Sequence, residues 1–176
     1  MNLNKISKHL ALGLRHNPML VFNQELSLNG FIDINIVLNK LNITIDELNS
    51  IVDNNDKNRF EIKDNKIRAR QGHSIEVKLN LDITIPPEIL YHGTNSSSKD
   101  IIMNDGIKKM SRQYVHLSFD IETATKVGLR KCNKDNHLVI LKIDALNMYN
   151  NGYIFYLSSN NVLLIDYVPA NYISIL

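Results

Sequence analysis

Apolar residues between positions 6 and 14 recur every three or four residues, a spacing that predicts a helix with one buried face. Ser7 is a candidate cap for this helix, and Pro18 ends the run. Arg15 and His16 are therefore expected in its last turn. The pattern places a guanidinium and an imidazole together at a helix end.

The residues that follow predict two more helices and a β-hairpin. The helices run from 33 to about 42 and from 44 to about 52, where Thr44 and Glu47 have the spacing of a capping box. The segment 59–70 alternates apolar and polar residues around an Asp-Asn pair typical of tight turns. Helices followed by a hairpin favour a winged-helix type of arrangement up to about residue 75. A domain with only a packing role is the alternative.

The pattern changes after Ser74. Weak alternation leads into Pro86-Pro87, which stiffens the chain and removes two backbone donors, so we place a domain boundary after residue 85. Beyond it the sequence predicts one or two short helices among four or more strands, the first strand ending in a loop at YHGT. The strands are predicted at 90–94, 113–118, 137–145, 154–159 and 162–168, and the helices at 97–107 and 121–130. The predicted fold class is α+β, with domains 1–85 and 86–176.

Composition excludes several classes of protein. Twenty Lys and Arg residues against 18 Asp and Glu leave a formal charge of +2, too little for a protein that binds nucleic acid mainly through its overall field. A bound polynucleotide would have to be held at a local cluster. Cys132 is the only cysteine, so an internal disulfide or a thiolate-rich metal site is excluded. Because no run of eighteen apolar residues occurs, we expect a cytoplasmic protein with no membrane partner.

Arginine and histidine residues recur in short islands flanked by turns, where core packing gives little reason for them. The islands contain Arg15-His16, Arg68 and His73 in IRARQGHS, His92 in YHGT, His116 in YVHLS and Arg130 in VGLR. A guanidinium offers five N–H donors in a planar fork that matches two phosphate oxygens. Histidine titrates near neutrality, so it can bind an oxyanion and move a proton. Each residue alone is more simply explained as solvated surface, but together they indicate phosphate chemistry.

Several of these motifs occur in the order found in one family. The chain resembles the RNA 2'-phosphotransferase family, the Tpt1/KptA enzymes, in SKHLALGLRHNP, NRFEI, IRARQGHS, PPEILYHGT, DGIKKMSRQYVHLS and FYLSSNNVLLIDYVP. The resemblance covers almost the whole chain. It implies an N-terminal winged-helix RNA-binding lobe and a C-terminal ADP-ribosyltransferase-like, mixed α/β lobe that binds NAD.

The resemblance also implies a reaction. The substrate is an RNA carrying an internal 2'-phosphate, as in tRNA splicing, and NAD is the co-substrate. The 2'-phosphate attacks the carbon that bears nicotinamide, giving an ADP-ribosylated 2'-phosphate, and the neighbouring ribose hydroxyl then attacks phosphorus. The products are 2'-hydroxyl RNA, ADP-ribose 1'',2''-cyclic phosphate and nicotinamide. No metal and no protein partner are implied.

Site residues follow from the resemblance, position by position. Arg15, His16, Arg68 and Arg130 form a catalytic tetrad that handles phosphate, and His16 would move the proton of the attacking ribose hydroxyl or of the departing RNA hydroxyl. His73 is a further RNA or phosphate contact, or else a residue that holds a turn between the lobes. The residues implied to bind NAD are His92, Gly93, Thr94, His116, Ser118, Ser158, Asn160 and Val162. Ser158 and Asn160 could equally cap a turn.

Four positions depart from the family pattern. Tyr114 stands where His is frequent, Asn161 where Gly is usual, Leu163 where Trp is common, and Lys131-Cys132 where a basic residue and Gly are typical. None of them is a tetrad position, so we expect them to change cofactor affinity more than activity.

Two other functions fit parts of the pattern. One is ADP-ribosyl transfer that stops after the first step and caps a terminal phosphate of RNA or DNA. The other is a non-catalytic RNA-binding module in which the winged-helix half dominates. A retained ADP-ribose adduct on the nucleic acid would identify the first, and variants that lose binding alone would identify the second.

Overall fold

The computed structural model describes residues 3–54, 58–79 and 81–176. It contains two compact units, each with its own core. Unit 1 comprises Met1–Asn80 and Ser111–Gln113, and unit 2 comprises Leu81–Met110 and Tyr114–Leu176. A boundary after residue 85, and the binding partner of each lobe, stay predictions from the sequence.

Unit 1 packs four helices beside a small antiparallel sheet. The helices are α1 Leu3–Arg15, α2 Pro18–Phe22, α3 Ile34–Leu41 and α4 Ile45–Asp53. The strands are β1 Ile32–Asp33, β2 Phe60–Lys63 and β3 Lys66–Ala69, in the spatial order β1-β3-β2. Its core is built from fully buried side chains of these elements, among them Leu10, Leu14, Phe22, Val37, Leu48, Phe60 and Ile67.

Local signals in the sequence account for most of unit 1. Thr44 and Glu47 make both bonds of the capping box at the start of α4, which confirms that prediction. Asp64 and Asn65 have φ values of 49° and 55°, and they form the tight turn between β2 and β3. Asn and Asp tolerate this left-handed region because their short side chains bond locally to the backbone.

The first helix differs from its prediction at both ends. It is already helical at Leu3, so Ser7 lies inside α1 and is not its cap. It ends at Arg15, and His16 lies just beyond it. Pro18 does end the first run, but it also opens α2, a helix that the sequence reading missed. Proline suits a first helical position because the N–H it lacks would have no partner there.

Unit 2 contains nine strands and three helices within its described residues. The strands are β4 Asp82–Thr84, β5 Ile89–Asn95, β6 Ile107–Lys108, β7 Val115–Leu117, β8 Leu138–Asp144, β9 Phe155–Leu157, β10 Leu163–Ile165, β11 Tyr167–Val168 and β12 Ile173–Ile175. The helices are α5 Ser96–Asp105, α6 Ile121–Gly128 and α7 Ala145–Asn150. The sheets have the orders β4-β9-β10-β7, β12-β8-β5 and β11-β6.

The longest pairing in unit 2 joins β5 to β8, antiparallel from Ile89 opposite Asp144 to Asn95 opposite Leu138. The strand β8 confirms the strand predicted at 137–145. The loop predicted at YHGT is wrong, because β5 continues to Asn95. The side chain of Asn95 caps α5, which begins at the next residue. The α+β class is confirmed in this coarse form. Within the described ranges, the helices are too short or too polar to cross a bilayer.

Candidate active site

The end of α1 is fixed by close packing in unit 1. The ring of Phe22 lies against Gly13, where any side chain would collide with it, and Leu14 is fully buried. The amides of His16 and Asn17 both donate to the Leu12 carbonyl, which closes the helix. Arg15 is therefore attached to a rigid part of the core.

The loop 72–74 lies directly against Arg15. Gly72 has φ +88°, and a Cβ built there would come within 3.6 Å of the guanidinium carbon of Arg15. The amide of Ser74 donates to the Arg15 carbonyl at 2.9 Å, and the Ser74 hydroxyl bonds His16 Nδ1 at 2.9 Å. Only glycine adopts this backbone freely, so Gly72 lets the loop approach the arginine.

Two buried side chains at this place have polar atoms without partners. Arg15 Nε and Nη2 are buried and, among the described residues, donate to no partner. His73 is 1% exposed, and neither of its ring nitrogens is bonded within the described part of the chain. Leaving such groups unpaired costs free energy, so folding alone does not explain them.

Burial and neighbouring positive charges lower the pKa values of Arg15, His16 and His73. Burial first, and then the charges of Arg59 and Arg112, lowers the pKa of Arg15 to about 10. Burial and the charges of Arg15, His16 and Arg68 lower the pKa of His73 to about 4. Burial, then Arg15 and Arg112, also lowers the pKa of His16. Both histidines are therefore neutral at pH 7, beside arginines that remain charged.

Arg68 on β3 is held by three neighbours. Its Nε donates to Glu61 Oε2 at 2.7 Å, and its Nη1 donates to the Asn29 carbonyl at 3.3 Å. Its guanidinium carbon lies 4.5 Å from the centre of the Phe31 ring. Two hydrogen bonds and the aromatic ring therefore fix the orientation of the Arg68 guanidinium.

A segment distant in sequence joins this place. Gln113 belongs to unit 1, where its amide donates to the His73 carbonyl at 3.1 Å and its side chain donates to the Val77 carbonyl at 3.0 Å. Its neighbour Arg112 affects the pKa values of both Arg15 and His16. We call the following residues the cationic cluster: Arg15, His16, Arg59, Arg68, His73 and Arg112. Like charges held this close repel one another, which favours a bound anion.

In unit 2, two predicted histidines are bonded to backbone carbonyls. His92 Nδ1 lies 3.1 Å from the His116 carbonyl, and His116 Nδ1 lies 3.0 Å from the Tyr114 carbonyl. Because a carbonyl only accepts, both Nδ1 atoms carry a proton. Tyr91 and Ser118 exchange two backbone hydrogen bonds at 2.9 Å, so the YHGT and YVHLS motifs lie side by side.

Gly93 is required by packing inside unit 2. A Cβ at this position would collide with the carbonyl oxygen of Ala124, so α6 lies directly on β5. Gly93 therefore lets α6 approach β5, whatever else binds nearby. Thr94, the next residue, is 1% exposed.

Arg130 lies on the 3-10 turn Leu129–Lys131 that follows α6. The side chain of Asn95 donates to the Lys131 carbonyl at 2.8 Å, which ties this turn to the end of β5. Arg130 is exposed, and no ion pair involves it among the residues that the structure describes. Its guanidinium is thus presented to solvent from a fixed turn.

Ser158, Asn160 and Val162 form the turn between β9 and β10. The buried Ser158 hydroxyl accepts from the Val162 amide at 3.0 Å and lies 2.9 Å from both the Val162 carbonyl and Asn160 Oδ1. These bonds give the three residues a structural role. A cofactor contact by any of them stays a prediction.

Metal ligands do not cluster in the described ranges, where no group of three or more His, Cys, Asp or Glu side chains could hold an ion. The chemistry available is instead that of fixed guanidinium donors and neutral imidazoles. Such an arrangement can bind a phosphate, spread its charge and accept a proton.

Comparison with known proteins decides the family. The profile of the RNA 2'-phosphotransferase, Tpt1 / KptA family matches residues 2–167. The chain belongs to this family. It is 47% identical to a probable RNA 2'-phosphotransferase of Flavobacterium johnsoniae over 96% of this chain and 93% of the relative. It is 44% identical to one of Fusobacterium nucleatum, over 96% of each chain. It is therefore an enzyme of the RNA 2'-phosphotransferase type.

In this Tpt1/KptA enzyme, unit 1 contains Arg15, His16, Arg68 and His73, four of the predicted phosphate residues. Arg15, His16 and Arg68 each lie near enough to His73 for their charges to lower its pKa. Arg130 and the residues predicted to bind NAD belong to unit 2. The catalytic and binding roles of all these residues stay predictions.

Sequence reasoning missed one residue that bonds the cationic cluster and two residues that belong to it. Glu61 was not singled out, although the predicted hairpin puts it opposite Arg68. Arg59 and Arg112 are not among the predicted site residues, and nothing in the sequence indicates that 111–113 packs with unit 1.

The structure explains two of the four departures from the family pattern. Asn161 has φ +56°, the left-handed region that glycine adopts most easily and asparagine tolerates. Leu163 is 1% exposed and belongs to the core of unit 2, so a change there alters packing. The Tyr114 ring lies 5.6 Å from that of Tyr156, and burial raises the pKa of Tyr114.

Proposed function

We propose that this enzyme removes an internal 2'-phosphate from RNA by transferring it to the ADP-ribose part of NAD. An ADP-ribosylated 2'-phosphate would form first, and 2'-hydroxyl RNA, ADP-ribose 1'',2''-cyclic phosphate and nicotinamide would result. The observation that carries the proposal is the pair of buried, unpartnered groups, Arg15 and His73, inside the cationic cluster. A phosphate dianion is the ligand that satisfies them, because it supplies oxygen acceptors and negative charge together.

Arg15 and Arg68 bind the 2'-phosphate and keep one oxygen free to attack. The two unpartnered nitrogens of Arg15 and the remaining N–H groups of Arg68 are the donors for this. Donors fixed before the substrate arrives lose little entropy on binding and stabilise charge that develops on the phosphate oxygens. His73, neutral at pH 7, adds one donor and one acceptor without adding charge.

His16 is the proton acceptor in this proposal. Its Nδ1 is bonded to the Ser74 hydroxyl, which orients the ring, and its lowered pKa keeps the ring neutral at pH 7. A neutral imidazole can take the proton of the attacking ribose hydroxyl and then return it to the departing RNA oxygen. The two proton transfers that were alternatives for His16 are then carried out in turn by one side chain.

Unit 2 is proposed as the ADP-ribosyltransferase-like lobe, and unit 1 as the winged-helix lobe that binds RNA. When bound, NAD would supply the ADP-ribosyl group that the RNA 2'-phosphate accepts as nicotinamide leaves. The adjacency of the YHGT and YVHLS motifs, which the two Tyr91–Ser118 backbone hydrogen bonds join, supports this. Arg130 adds a guanidinium for phosphate. A cytoplasmic setting and a tRNA-like substrate stay predictions.

The test is a product analysis. The enzyme is incubated with NAD and a short RNA that carries one internal 2'-phosphate, and the products are analysed by mass spectrometry. The proposal expects 2'-hydroxyl RNA with an equal amount of ADP-ribose cyclic phosphate. An adduct of ADP-ribose retained on the RNA would favour transfer that stops after its first step. Unchanged RNA under varied conditions would favour a non-catalytic RNA-binding module.

A further inference from the structure

Glu61 and Arg68 face each other across the hairpin. They are direct partners in the pairing of β2 with β3, and their side chains meet at 2.7 Å. The side chains are 23% and 17% exposed, so the contact is largely shielded from water. A charge-assisted bond in such surroundings is stronger than an ion pair on an open surface.

Arg68 is restrained by more than this one bond. Glu61 accepts from Nε, the Asn29 carbonyl accepts from Nη1, and the Phe31 ring covers one face at 4.5 Å. A guanidinium has five N–H groups, and these two bonds leave three of them available. The remaining donors belong to the terminal nitrogens, the part that binds phosphate as a fork.

We propose that Glu61 is a positioning residue, which fixes Arg68 so that the terminal N–H groups of this guanidinium are presented to the RNA 2'-phosphate. The inference rests on the proposed function above. It assigns Glu61 no contact with the substrate, because its carboxylate would repel a phosphate dianion. The carboxylate accepts from the Nε–H group of Arg68, which is not one of the terminal N–H groups.

Charge alone does not account for this placement. In a site that binds an anion, a carboxylate weakens the attraction, so its presence needs another explanation. Orientation provides one, since a guanidinium fixed beforehand loses less freedom when the phosphate arrives. The distinction is testable, because glutamine keeps the acceptor oxygen and removes the charge.

The experiment compares Glu61→Ala and Glu61→Gln with the wild type in the NAD reaction. We expect kcat to fall about tenfold or more in Glu61→Ala with KM changed less than about threefold, because the lost orientation matters most in the transition state. Glu61→Gln should stay within about threefold of wild type. Glu122→Ala is the matched control: it removes a carboxylate 2.6 Å from Lys126 on α6, and it should leave the rate unchanged.

A second readout does not depend on activity. In ¹⁵N-arginine-labelled protein, the Nε–H signal of Arg68 should exchange slowly with water in wild type and in Glu61→Gln. In Glu61→Ala it should exchange at least about tenfold faster. Circular dichroism establishes that each variant is folded.

Three outcomes would overturn the inference. They are an unchanged rate in Glu61→Ala, a higher rate in Glu61→Ala, and a loss in Glu61→Gln as large as that in Glu61→Ala. An unchanged rate in Glu61→Ala would mean that Glu61 does not affect catalysis. A higher rate would mean that its carboxylate opposes phosphate binding. An equal loss in Glu61→Gln would mean that its effect comes from its charge. If the wild type itself gives no product, the proposed function fails, and the exchange of the Arg68 signal still decides whether Glu61 orients this side chain.

Discussion

The candidate residues of unit 1 and unit 2 differ in how their polar groups are satisfied. In unit 1, Arg15 and His73 are buried with nitrogens that have no partner in the described chain. In unit 2, His92 and His116 are bonded to backbone carbonyls, and Ser158 closes a turn. Groups that are left unsatisfied by the fold lower stability, so a ligand is the better explanation for them. Replacing a polar side chain that is bonded within the fold should instead lower the stability of the protein.

The largest effect that this comparison predicts is for Arg15→Ala. We expect kcat/KM in the NAD reaction to fall about a thousandfold, because fixed donors to the reacting phosphate are lost. The free energy of unfolding should fall by no more than about 1 kcal/mol, since a buried charge without a partner is removed. Arg15→Lys should not restore the rate, as an ammonium lacks the planar fork. Steady-state kinetics and urea unfolding measure both quantities, and a large loss of stability would erase the contrast between the units.

His73 should make stability depend on pH. Its pKa is about 4 in the folded protein and about 6.5 when unfolded, so between these values only the unfolded chain takes up the proton. The free energy of unfolding is therefore constant with respect to this group above pH 6.5 and falls by up to about 3 kcal/mol as the pH drops to 4. Urea unfolding of wild type and His73→Gln across this range isolates the contribution. Equal slopes in the two proteins would contradict the burial of a neutral ring.

Gly93→Ala tests the structural side of the comparison. The new Cβ meets the Ala124 carbonyl, so we expect a loss of about 2 to 3 kcal/mol in the free energy of unfolding. Gly152→Ala is the control, because that position has φ +89° but open space around it. It should lose only about 1 kcal/mol, from backbone strain. If both variants are equally stable, α6 does not pack on β5 as described.

Ser158→Ala should have a smaller effect than Gly93→Ala. It removes the hydroxyl that bonds both the amide and the carbonyl of Val162, and we expect the free energy of unfolding to fall by about 1 to 2 kcal/mol. Urea unfolding measures the change. If the variant were as stable as wild type but bound NAD more weakly, Ser158 would be a cofactor-binding residue and not a structural one.

Local patterns made much of the fold predictable. The capping box of α4 and the alternating strand β8 need only neighbouring residues, so the sequence shows them directly. The short helices α2 and α7 were missed, because five or six residues give too little periodicity to recognise. The direct passage from β5 into α5 was also missed, since polar residues at 95–98 resemble a loop.

The site was predictable in its residue types but not in its electrostatic state. Donor chemistry singles out Arg15, Arg68 and His73 from the sequence. That Arg15 and His73 lack partners depends on which side chains surround them in three dimensions. The packing of Gln113 beside His73 joins positions forty residues apart, and no local pattern indicates it.

The most direct test of the account is a binding measurement without NAD, which prevents the reaction. Calorimetry compares two RNA oligonucleotides that differ only in one internal 2'-phosphate, with wild type and with Arg15→Ala. We predict that the 2'-phosphate strengthens binding to wild type about a hundredfold and to Arg15→Ala about threefold or less. Equal binding of the two RNAs by wild type, or a full preference kept by Arg15→Ala, would contradict the assignment of the buried unpaired groups to phosphate.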